Sequence, residues 1–132
     1  MSKKVFYVAH PVSGDPVGNC GKVCVWIAWL TLVDPTRIFI APWVAEVMGF
    51  VNTKVTPEFY DQVLADDQEV VRHCDGIILL GGHVSRGMAL ELEAARAAGK
   101  AVIDWSMLES PKDADTLIAM LKGTPEDTNA FD

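Results

Sequence analysis

Residues 75–91 read DGIILLGGHVSRGMALE. A short apolar run, Ile77 to Leu80, stops at Gly81-Gly82; a polar turn follows, and Ser85 opens a helix. A strand that passes through a glycine turn into a helix start is where open α/β sheets bind ligands, because the helix N-terminus offers free N–H groups and positive potential. Glu91 falls about a turn and a half into that helix. Its neighbours three and four positions away are Gly87, Met88, Ala94 and Ala95, all small or apolar, so its carboxylate is expected to face inward. Glu93, flanked by Ala89, Leu90, Arg96 and Ala97, is expected in water instead.

Outward from this stretch, strands and helices alternate. Val5 to Ala9 is β-rich, and His10 to Pro16, with two prolines, a glycine and an aspartate, is a loop. A helix begins near Asp15 or Asn19 and runs to about Val33, before Asp34-Pro35. Arg37 to Ala41 is a second strand cut by Pro42; Trp43 to Phe50 reads as one or two helical turns and a loop. Thr56-Pro57-Glu58 starts a helix that reaches about His73, with a capping hydroxyl, proline at the first position and an acid next. Asp75 to Leu80 is strand three, Ser85 to Ala98 a helix stopped by Gly99, and Ala101 to Trp105 strand four. Ser110-Pro111 opens a last helix through Leu121, stopped by Gly123.

This alternation predicts an α/β protein: a flavodoxin-like doubly wound parallel sheet of order 2-1-3-4, with room for a fifth short strand, in three α/β/α layers. One domain is expected over 1–123, followed by a polar tail at 124–132. The crevice of such a sheet lies at the carboxyl ends of strands one and three, which sets loop 10–15 beside turn 81–87.

A net charge of −7 and a pI near 4.8 argue against a nucleic-acid polymer as partner, since phosphate backbones need a basic face. Met1-Ser2-Lys3-Lys4 leads into a strand rather than an apolar leader, so a cytoplasmic protein with no membrane partner is expected. Val23 to Val33 is the most apolar run, about half a membrane span, and reads as a buried or subunit-contact helix. Its excess apolarity predicts a homodimer or larger homo-oligomer. Cys20, Cys24 and Cys74 lack paired metal-ligand spacing and read as buried free thiols.

A second carboxylate repeats the anomaly of Glu91. Asp67 has Val63, Leu64, Val70 and Val71 three and four positions away and so sits in an apolar stripe, whereas Asp66 lies by Gln62 and Glu69. An unpaired buried carboxylate costs several kcal/mol or takes up a proton. Placement at the rim of the stripe, reaching water, is the bland explanation. Two carboxyls across one small cavity would instead suit glycosidic chemistry.

These residues resemble the nucleoside 2-deoxyribosyltransferase family, and within it the 2'-deoxynucleoside 5'-phosphate N-hydrolase branch. The resemblance rests on Ser85-x-Gly87-x-x-x-Glu91, on the strand led by Asp75, on Asp67 eight residues before it, and on Tyr7 at the end of strand one. It spans roughly Val5 to Asp104. It implies that Glu91 attacks the anomeric carbon of a 2'-deoxyribosyl group, that water or another base then takes the sugar, and that Asp67 holds the sugar or protonates the leaving base. It also implies Tyr7 as a pocket residue, Ser85 as a 5'-phosphate ligand with Arg86 and Gly87 beside it, and neither metal nor cofactor. The first loop departs from that branch: His10-Pro11 and then Ser13-Gly14 stand where Gly-Ser and an arginine are usual, so Arg86, His10 or Ser13 would have to replace a phosphate donor.

Gly82 at the turn and Met88, one turn before Glu91, complete the expected substrate-binding set. His10 and His83 are expected to flank the crevice, and His73 to cap its helix. Trp43 and Trp105 are candidates for stacking on a base, Trp26 and Trp29 for core or subunit contacts. The partner is then a small deoxynucleoside or deoxynucleotide. A non-catalytic nucleotide-binding module, with Glu91 and Asp67 hydrogen-bonding a ribose, is the alternative on the same fold.

Overall fold

A computed structural model describes residues 2–115. Its elements run β1 (Lys4–Ala9), α1 (Pro16–Val33), β2 (Arg37–Ile40), α2 (Trp43–Phe50), α3 (Pro57–His73), β3 (Gly76–Leu79), α4 (Arg86–Ala97) and β4 (Ala101–Asp104). Residues 111–115 are helical. The rest of the helix expected there, and the tail at 124–132, lie outside the described residues.

Helices α1, α3 and α4 start where the sequence supplies a cap, whereas α2, entered through Pro42, has no side-chain cap. The Asp15 carboxylate accepts from the Gly18 N–H at 3.1 Å, with Pro16 first in α1. Thr56 Oγ1 accepts from the Phe59 N–H at 3.1 Å, with Pro57 first in α3. Ser85 Oγ accepts from the Met88 N–H at 3.3 Å, and the Ser85 N–H reaches the Met88 sulfur at 3.4 Å, so a methionine closes the box that usually needs a glutamate. His73 Nδ1 meets the Glu69 carbonyl at 3.0 Å in the last turn of α3, the capping position expected of it.

The four strands form one parallel sheet of order β2-β1-β3-β4, flanked by helices as a flavodoxin-like α/β fold requires. Among the described residues there is no fifth strand. Tyr7 pairs with Ile77 and Ala9 with Leu79, so the two central strands end side by side. Asp75 ties their other ends: its carboxylate accepts from the Val5 N–H, and its own N–H donates to the Val5 carbonyl, both at 2.8 Å. At Gly76 a Cβ would come within 2.6 Å of the Phe6 ring and 2.9 Å of the Ala101 carbonyl, so the sheet closes there only over glycine.

The core gathers on β1 and β3, whose Tyr7, Val8, Ile77 and Leu79 are fully buried. α1 covers one part of it with Cys20, Val23, Trp26 and Leu30. Its other side exposes Val25 and, at 82%, Leu32. By length and composition α1 could cross a membrane, but its buried residues pack into the core cluster of this domain. The reading of it as a buried helix therefore holds for one face only. Apolarity alone does not decide which faces are covered. Cys24 is likewise exposed rather than buried, because it lies on that open side. α3 packs on α4, and α1 on α2.

Candidate active site

Loop 10–13, α2, α3 and the start of α4 enclose a cavity of about 160 Å³ at the carboxyl ends of β1 and β3. Asp67 and Glu91 both line it, at 7% and 8% exposure. α3 and α4 pack together, and each presents its apolar stripe to the sheet, so a carboxylate within either stripe is carried to the shared seam. His10, Ser13, Ser85, Arg86, Gly87 and Met88 line the same cavity. His83 is exposed and lies outside the wall.

Two expected substrate contacts are placed differently. Tyr7 is fully buried beneath the cavity rather than in its wall, and among the described residues its hydroxyl makes no hydrogen bond of good geometry. The group it bears on is Glu91, whose carboxyl it helps to hold in the ionised form. Gly82 is outside the wall altogether. Its N–H donates to the Ser106 carbonyl at 2.7 Å, and at φ +98° a Cβ would strike the Glu109 side chain. The chain needs glycine here for its own turn, not for a ligand's approach.

A third carboxylate, Glu46 of α2, completes the cavity and shares a hydrogen bond with Asp67. Two carboxyls can bond to one another only through a proton, because an ionised carboxylate is purely an acceptor. Burial first, then this bond and the nearby charges of Glu46, Glu91 and Asp66, push the Asp67 carboxyl up to about 9. Burial also lifts Glu91 to about 7, with Tyr7 pulling it down and the Glu46 charge pushing it up. Near neutral pH, Asp67 thus carries a proton while Glu91 is poised to lose one. That is the division of labour that an acid and a nucleophile would need.

His10 is buried, and its Nδ1–H donates to the Pro11 carbonyl at 2.7 Å. Burial lowers its proton affinity, with the Lys22 and His83 charges adding to the effect, so the ring is neutral and Nε2 is left as an acceptor. Among the described residues that nitrogen has no partner. The ring fits only because residue 81 is glycine: at φ +112°, a Cβ there would lie 2.5 Å from Pro11 Cδ and 2.9 Å from His10 Nε2.

The remaining walls are apolar or aromatic. Trp43 lines the cavity as expected, anchored by Nε1 donating to the Val8 carbonyl at 2.8 Å. Trp105 is only partly buried against the core and takes no part in the wall. Trp26 is core, edge-on to Trp29 at 5.8 Å. Tyr60, Val63 and Leu64 of α3 close the remaining side. Among the described residues no group of histidine, cysteine and acidic side chains is placed to hold a metal ion. No protein-family model matches the chain, and no curated protein does so either.

Proposed function

We propose that this cavity cleaves the N-glycosidic bond of a 2'-deoxynucleoside or its 5'-monophosphate, as the resemblance to nucleoside 2-deoxyribosyltransferases implies. The observation that carries the reading is the convergence of Asp67 and Glu91, both buried, on one small cavity at the sheet's switch point. The Glu91 carboxylate attacks the anomeric carbon. The C–N bond breaks toward the base, which takes the Asp67 proton as it leaves. A deoxyribosyl ester on Glu91 results, and water or a second base displaces the carboxylate from it. The absent 2'-hydroxyl lowers the cost of the oxocarbenium-like state, so two carboxyls serve without further apparatus. Tyr7 keeps Glu91 ionisable, and Glu46 keeps the proton on Asp67. A 5'-phosphate would sit at Ser85–Gly87, where helix α4 begins and Arg86 stands. Incubating the protein with each of the four deoxynucleosides and their monophosphates, and assaying free base, tests the reading; no base from any of the eight sinks it.

The two carboxyls set the pH dependence. Turnover needs Glu91 ionised and Asp67 protonated, so kcat/KM should rise through about 7 and fall through about 9, peaking near pH 8. Because the acids interact, the limbs belong to the cluster rather than to single residues. Glu46→Gln removes the charge and the shared bond that hold the Asp67 proton, and should move the alkaline limb to lower pH. A limb that stays in place would deny Glu46 that role.

The same burial costs stability. Asp67 binds its proton more tightly folded than unfolded, so between its ordinary value of 3.8 and about 9 the native state holds more protons, and stability falls as pH rises. Asp67→Asn is neutral throughout and should raise the melting temperature at pH 8 by about 4 °C, a gain on the order of 1 kcal/mol. The advantage should vanish near pH 4, which a melting series across pH would check.

A further inference from the structure

A hollow of about 340 Å³ lies between the first half of α1 and residues 109–111. It shares no lining residue with the acid cavity of Asp67 and Glu91. Along α1 its wall is Gly18, Gly21, Lys22 and Val25, which recur at three- and four-residue steps and so form one stripe. Two of these four have no side chain, and a Cβ at Gly21 would meet nothing within 4 Å, so the stripe is an open trough rather than a packed seam. Glu109 stands across from it and rests on Gly82, where a Cβ would lie 2.9 Å from Glu109 Cγ.

Two donors border this trough with nothing to donate to. Trp26 is fully buried and lines the hollow, and among the described residues its Nε1–H has no acceptor. A buried N–H left unpaired is rare in native proteins and calls for a partner from outside. Lys22 is exposed and makes no ion pair among the described residues. The two residues are four apart on α1, one turn, so a single head group can meet both. Both free groups donate and one is charged, while glycine, valine and proline leave the rest of the wall largely apolar. The complement is a hydrocarbon body ending in a carboxylate, which accepts from both donors through charge-assisted bonds. The Glu109 carboxylate on the opposite wall favours a single negative charge over a phosphate dianion. Eight described residues line the hollow, against roughly 20–30 a side in a stable protein–protein contact, and its volume is that of a small-molecule site.

We propose that this hollow binds a small apolar carboxylic acid, its carboxylate between Lys22 and Trp26 Nε1 and its hydrocarbon along the trough at Gly18 and Gly21. It is a second ligand site, separate from the acid cavity and independent of whether that cavity cleaves a glycosidic bond.

Octanoate is the probe, read on the 15N-labelled full chain. The indole N–H resonance of Trp26, assigned by triple resonance, should move downfield and saturate as octanoate is added, while that of Trp43 in the acid cavity stays in place. Hexanoate, two methylenes shorter, should bind about tenfold more weakly. Octan-1-ol, which offers Lys22 no charge, should also bind at least about tenfold more weakly than octanoate. Gly21→Leu fills the trough from an exposed helical position where leucine suits the helix better than glycine. It should abolish the shift while the melting temperature stays at or above that of wild type. Lys22→Met should bring the acid and the alcohol to similar affinity. An unmoved Trp26 resonance, a shift at Trp43 instead, equal binding of acid and alcohol by wild type, or octanoate binding that survives Gly21→Leu overturns the proposal. So does self-association in sedimentation that Gly21→Leu abolishes, since the trough would then belong to a second copy of the chain.

Discussion

Glu91→Gln is expected to lower base release by at least about a thousand-fold while substrate affinity stays within a few-fold of the parent. Glutamine fills the same volume on α4, beside buried Met88, Ala94 and Ala95, and it removes a group that burial already disfavours in its charged form. Fold and cavity should therefore survive, and only the nucleophile is lost. Single-turnover assays with direct binding measurements separate the two effects. Weakened binding with unchanged turnover would instead make Glu91 a ligand for the sugar, as in a non-catalytic nucleotide-binding module.

The second large effect is structural. Gly81→Ala should destabilise the protein by about 3 kcal/mol, because alanine must adopt φ near +112° and its Cβ would run into the Pro11 ring and His10. The loss matters for function as well. Relief of the clash must push loop 10–13 away from β3, and His10 and Ser13 leave the cavity wall with it. Denaturant unfolding should show the lost stability, and a ligand that donates to His10 Nε2 should bind more weakly to whatever protein remains folded. Unfolding that matches wild type would mean the turn has room that the close approach of Gly81 and His10 denies.

What could be read from the chain was whatever helical and strand periods determine. Asp67 and Glu91 stand out because their neighbours three and four away are apolar, and the helix period places those neighbours on one face whatever the tertiary fold. The strand order 2-1-3-4 follows from alternating elements with short connections, and the structure bears it out. Glu46 was not legible. It lies between Ala45 and Val47 in a stretch whose period is too short to orient it, and only the packing of α2 on α1 brings it to Asp67. The burial of His10 depends on Gly81, seventy-one residues away, through parallel pairing of β1 with β3. Gly82 misled for the opposite reason: a glycine turn before a helix looks the same whether it admits a ligand or merely lets the chain pass Glu109. Tyr7 precedes the sheet's end by two residues, which leaves it under the cavity, and its bearing on Glu91 is a matter of depth that no spacing reveals.

The crystal structure of the Glu91→Gln variant soaked with a deoxynucleoside tests the central proposal most directly. The anomeric carbon should lie in van der Waals contact with the residue 91 side chain, with Asp67 within hydrogen-bonding distance of the base and no partner chain needed to bring the two together. A nucleoside bound elsewhere, or one seated with its sugar turned away from both carboxyl positions, would contradict it.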